Sequence, residues 1–224
     1  MAYYGSYIVL IPFLLLTFYA QHKVKSTYKK YLKVGNQKKL SGFEVARKIL
    51  DRNGLRDVQI MQSKGELSDH YDPRSKKVNL SSKVYNGKSI SSIAIAAHEV
   101  GHAIQHSKSY VPLVFRSKLA PIASISSKAV TPLIILGIIV GRTGFFDIGI
   151  MLFSAVLLFQ FITLPVEFNA SKRALNQLTT QGLVYNREQK KAKKVLNAAA
   201  LTYVAALAAS IGHLLRLLIL RGRD

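Results

Sequence analysis

Apolar runs and basic polar stretches alternate along this chain of 224 residues. Tyr3 to Ala20 is apolar apart from small hydroxyl and tyrosine groups. As a helix, that run reaches about 27 Å, close to the thickness of a bilayer core. Its start, Met1-Ala2-Tyr3-Tyr4, carries no basic residue, and the basic cluster follows the run. That order suits an uncleaved anchor better than a signal peptide. A second apolar region covers about Pro121 to Leu164, interrupted by Gly141-Arg142-Thr143-Gly144, and reads as a helical hairpin. Phe145 to Leu164 is its stronger arm, because the arm before the break includes Lys128 and several serines. A last run from about Ala198 to Leu220 carries His213 and Arg216, which are expected to snorkel or face other helices. The pattern predicts about four spans.

The first polar stretch changes period. Ser41 can cap a helix running to about Asn53, with Glu44 as its capping-box partner and Gly54 as its stop. Val58 to Met61 and Lys77 to Leu80 read as short strands, the second a possible edge for an extended peptide. Ser89 or Ser91 can start a helix through Ile93, Ala97, Val100 and Ile104.

Charge adds orientation. The chain holds 32 Lys and Arg against 11 Asp and Glu, a formal net charge of +21. Lys23, Lys25, Lys29, Lys30, Lys33, Lys38 and Lys39 all follow the first run closely. Basic residues beside spans mark the cytoplasmic side, so both large polar stretches are expected there, in the plasma membrane of a bacterium. The basic residues lack interleaved aromatics at base-stacking spacing, which argues against a nucleic-acid partner. The chain has no cysteine, so a metal must be held by His, Asp, Glu or water.

The chemistry centres on His98-Glu99-Val100-Gly101-His102. Two histidines four apart share one helical face, and both imidazoles can reach one zinc ion. Glu99 points aside, where it can take a proton from zinc-bound water. The other reading of the string is a helix with two satisfied histidines. His106 repeats the step, but it lies about 12 Å along the helix from His98, too far for one ion. A carboxylate elsewhere is the better third ligand. Glu167 is one of two acidic residues between 148 and 223, and the hairpin returns it to the face of His98 and His102. The other, Glu188, sits in a Lys-rich stretch expected to be exposed. Glu167 could also be an interfacial carboxylate paired with Lys172 or Arg173. His70, in Asp69-His70-Tyr71-Asp72-Pro73, is a candidate to stabilise an oxyanion, and a simple turn is the alternative.

His98 to His106 (HEVGHAIQH), Leu67 to Pro73 (LSDHYDP), Val84 to Ser89 (VYNGKS), Leu164 to Leu175 (LPVEFNASKRAL) and Val195 to Tyr203 (VLNAAALTY) together resemble the bacterial membrane zinc metallopeptidases of the YugP family. The similarity covers nearly the whole chain. More distantly it extends to the HtpX-type and CAAX prenyl membrane proteases. The resemblance implies zinc as cofactor, His98, His102 and Glu167 as ligands, and Glu99 as catalytic base. The HtpX-type pattern places Asp four residues after its third ligand, where Ser171 stands here. A hydroxyl accepts an imidazole N–H less strongly, and Asn169 could share that part.

The expected fold is a mainly α multi-pass membrane protein with about four spans and a small α+β zincin-like cytoplasmic domain. Its expected parts are an anchor (1–21), the zincin-like domain (22–119), a transmembrane hairpin (120–164), a cytoplasmic segment with the third ligand (165–196), and a C-terminal helix and tail (197–224). The expected activity is that of an endopeptidase on protein or peptide substrates in or near the lipid membrane. The alternative is a scaffold that keeps the zinc site without turnover.

Overall fold

The computed structural model of the protein describes residues 7–221. Helix α1 (Ile11–Leu32) begins apolar and ends basic. Helix α2 (Gly42–Arg52) opens on the predicted capping box. Ser41 accepts from the Glu44 backbone N–H, and the Glu44 carboxylate accepts from the Ser41 N–H at 2.7 Å. Gly54, at φ +74°, takes the chain out of the helix. The apolar residues of α2 fall three and four apart, so Val45, Ala46, Ile49 and Leu50 share one fully buried face. Full burial of each large aliphatic chain contributes about 1.5–3 kcal/mol before entropy is counted.

Three strands follow: β1 (Gln59–Ser63), β2 (His70–Asp72) and β3 (Lys77–Ser81). Their order is β1-β3-β2, with β1 parallel and β2 antiparallel to β3. Two expectations change here. The Asp69 to Pro73 stretch contains a strand, because His70, Tyr71 and Asp72 pair with Asn79, Val78 and Lys77. The Lys77–Leu80 strand is therefore central rather than an edge. Both its sides are taken, and Val78 and Leu80 are fully buried. Beyond the short helix α3 (Ser82–Tyr85), Ser89 caps helix α4 (Ile90–Ser107) by accepting from the Ser92 N–H.

Helices α5 (Val111–Val140), α6 (Gly144–Thr180) and α7 (Asn186–Arg221) complete the chain. All three are long and apolar enough to cross a membrane. The predicted Gly-Arg-Thr-Gly break lies between α5 and α6, with Gly141 at φ +64°. The expected first span begins in residues 1–6, which lie outside the described residues. Its described part runs from Tyr7 into the apolar start of α1.

The chain divides into two compact units. One gathers the residues up to Gln21, Val111–Pro165, and those from Thr202 onward; the other is His22–Tyr110 with Val166–Leu201. In the first, a Cβ on Gly137 would meet the Phe146 ring at 3.0 Å, so α5 and α6 approach closely. The Arg216 guanidinium lies 4.0 Å from the Tyr7 ring centroid, and Arg221 pairs with Asp147 at 2.5 Å. In the second, one apolar core joins Tyr28 and Tyr31 of α1, the buried face of α2, β3, α4, Leu178 of α6 and Val195 of α7. Glu188 is buried, contrary to expectation. Its carboxylate accepts from the backbone N–H groups of Gln37 and Tyr185 at 2.8 and 3.0 Å, which compensates for leaving water.

Candidate metal centre

Helix α4 carries mostly small and apolar residues on its buried sides; beyond Ser91 and Ser92 in its first turn, His98, Glu99, His102 and Gln105 bring polar groups to them. The return of α6 meets it. Val166, Ala170, Ala174 and Leu178 repeat every four residues on α6 and are fully buried. The closest approach is at Gly101, where an added Cβ would sit 2.7 Å from the Ala170 carbonyl oxygen. That clearance explains why a glycine stands between the two histidines. It also brings the neighbouring turn of α6, with Glu167, onto the histidine face.

His98, His102 and Glu167 come together, with one potential ligand atom from each lying within 4.8 Å of the others. The Glu167 Oε2 lies 3.2 Å from His98 Nε2 and 3.5 Å from His102 Nε2. The far sides of both rings are held. Ser171 Oγ lies 3.2 Å from His98 Nδ1. The Gln105 side chain donates through Nε2 to the Val166 carbonyl (2.8 Å) and to Asn169 Oδ1 (3.0 Å). Its Oε1 therefore accepts from His102 Nδ1–H, at 3.0 Å. With the His102 proton on Nδ1, its Nε2 lone pair faces the Glu167 carboxylate. A cation between the two acceptors, or a proton on Nε2 donated to the carboxylate, satisfies both. Tetrahedral zinc, with nitrogen and oxygen ligands at about 2.0–2.2 Å, separates neighbouring ligand atoms by about 3.3–3.5 Å. The donor set fits zinc in its chemistry, and the two distances to the Glu167 oxygen match that spacing.

The charges agree. Burial alone would push the Glu167 carboxyl up, but hydrogen bonding and charge from His102 and His98 outweigh it and hold it well below the usual carboxylate range. Glu99 differs. Burial pushes it up to about 7, the charges of Glu167 and Asp69 add to that, and those of His98 and His70 oppose it.

This chain belongs to a zinc metallopeptidase family. Residues 6–222 match the family described as "Putative neutral zinc metallopeptidase". The chain is also 50% identical over 212 residues to the "Putative membrane protease YugP" of Bacillus subtilis (strain 168), covering 93% of this chain and 94% of that one. No solved structure matches. The metal of this metallopeptidase family is zinc, and His98, His102 and Glu167 are where this member can hold it.

Two other candidates lie outside that trio. His70 is on edge strand β2, its Nδ1 at 2.9 Å from the Ser68 carbonyl and its Nε2 at 3.2 Å from Asn79 Nδ2. It acts on Glu99 through charge. His106 lies in the last turn of α4, its Nδ1 2.8 Å from the Tyr71 hydroxyl. Burial pushes that hydroxyl up to about 12, so it stays protonated. Sequence reasoning passed over Gln105 and its link to Asn169, which Arg173 Nε also reaches at 2.7 Å. The available signal was spacing: a Gln three residues after His102 shares its helical face.

Proposed function

We propose that this metallopeptidase is a membrane-embedded endopeptidase that cleaves membrane or membrane-proximal proteins, with zinc held by His98, His102 and Glu167. The convergence of two imidazoles and one buried carboxylate beside a second carboxylate of different acidity carries this reading. When bound, zinc would lower the pKa of water at the site and polarise a peptide carbonyl. Glu99 is the general base. Its buried carboxyl is tuned near neutrality, which suits both accepting a proton from attacking water and returning it to the leaving amine. His70, within electrostatic reach of Glu99, is assigned to the oxyanion. Ser171 and Gln105 orient the two rings.

The lysines after the first apolar run support a cytoplasmic site in the plasma membrane of a bacterium, in a chain of about four spans. The deciding experiment compares wild type with Glu99→Gln on an unfolded protein substrate and, by mass spectrometry, on membrane proteins trapped by the variant. Zinc content should be equal and hydrolysis lost in the variant. Undiminished hydrolysis by Glu99→Gln would end the assignment.

A further inference from the structure

Away from the metal centre, α1 and α7 enclose a groove of about 550 Å³. Lys23, Ser26, Thr27, Lys30 and Tyr31 line it from α1, and Lys194, Asn197, Ala198 and Leu201 from α7. Each set repeats at three and four residues, so one face of each helix forms one wall. Three lysines line the groove, and no carboxylate does. Among the described residues, none of the three lysines has a carboxylate partner; the ion pairs of lysine are Lys76 with Asp57 and Lys83 with Glu66. Beyond the lysines, the lining offers hydroxyls and an amide, which can donate to phosphate oxygens.

Position in the chain adds to this. Lys23 follows the apolar start of α1, and Leu201 directly precedes the residues of α7 that belong to the apolar unit. The groove is polar and cationic at Lys30 and Lys194, and apolar at Ala198 and Leu201. A solvated basic face would satisfy the orientation rule with lysines pointing anywhere, as Lys25, Lys29 and Lys193 do outside the groove.

We propose that this groove binds a phosphate group, and that an anionic phospholipid of the membrane supplies it, with acyl chains leaving past Ala198 and Leu201. Three lysines at a membrane surface correspond to about a hundredfold in affinity. The test uses full-length protein in detergent, read by native mass spectrometry against phosphatidylglycerol, phosphatidylcholine and inorganic phosphate. Wild type should retain phosphatidylglycerol over phosphatidylcholine. The variant Lys23→Gln/Lys30→Gln/Lys194→Gln should lose about ten- to a hundredfold of that affinity. The charge-matched control Lys25→Gln/Lys29→Gln/Lys193→Gln should stay within about twofold. If the groove variant loses its zinc, Lys194→Gln alone gives the reading, with about a fivefold loss expected. Equal losses in groove and control variants would reduce the effect to diffuse surface charge and overturn the site. Retention of inorganic phosphate without preference for phosphatidylglycerol would overturn the lipid as its source.

Discussion

Glu99 and Glu167 lie near the same point and should fail in different ways. Glu99→Gln removes the proposed base and leaves the ligand set, so zinc should stay while activity falls by about 10²–10⁴-fold. Glu167→Gln removes an anionic oxygen from the set, so zinc affinity itself should drop and added zinc should restore part of the activity. Zinc titration with a competing chelator separates the two. Normal zinc binding by Glu167→Gln together with loss in His106→Ala would move the site along the helix. Gln105 permits a finer test. Gln105→Leu leaves His102 Nδ1–H without its acceptor and should weaken zinc binding by about 10–100-fold, whereas Gln105→Glu should keep it. Equal affinity in all three proteins would make Gln105 a packing residue only.

At the scale of elements, the approach of α4 to α6 depends on Gly101. Gly101→Ala forces the Ala170 carbonyl to move and should destabilise by about 1–3 kcal/mol, with a loss of zinc affinity. A melting temperature and zinc affinity unchanged from wild type would contradict that. Elements with local signals were legible in the sequence: the Ser41–Glu44 capping box, the Ser89 cap and the Gly-Arg-Thr-Gly break each act within a few residues. What was missed depends on distant partners. His70 to Asp72 is a strand only because Val78 and its neighbours pair with it. Glu188 sits among lysines in sequence, but the backbone of Gln37, 151 residues away, draws it into the interior. Glu167 lies 3.2 Å from His98, on the histidine face to which the hairpin was expected to return it. Gln105 was missed, because its partners Val166 and Asn169 lie on another helix.

At the scale of the whole molecule, the orientation can be read chemically. The chain has no cysteine, so single cysteines are unambiguous reporters. Lys64→Cys and Asn186→Cys should resist an impermeant thiol reagent in intact cells, and Thr143→Cys should react. Labelling at Lys64→Cys would invert the proposed orientation. The order of the ligands along the chain bears on how the enzyme is made. Glu167 follows His98 by 69 residues, and both arms of the hairpin lie between them. A ribosome therefore delivers the two histidines first, then both hairpin arms, and the last ligand only afterwards. On the proposed ligand set, a nascent or truncated chain holds an incomplete metal centre. On that proposal, proteolysis would be withheld during synthesis until the later part of α6 has emerged and packed onto the histidine helix.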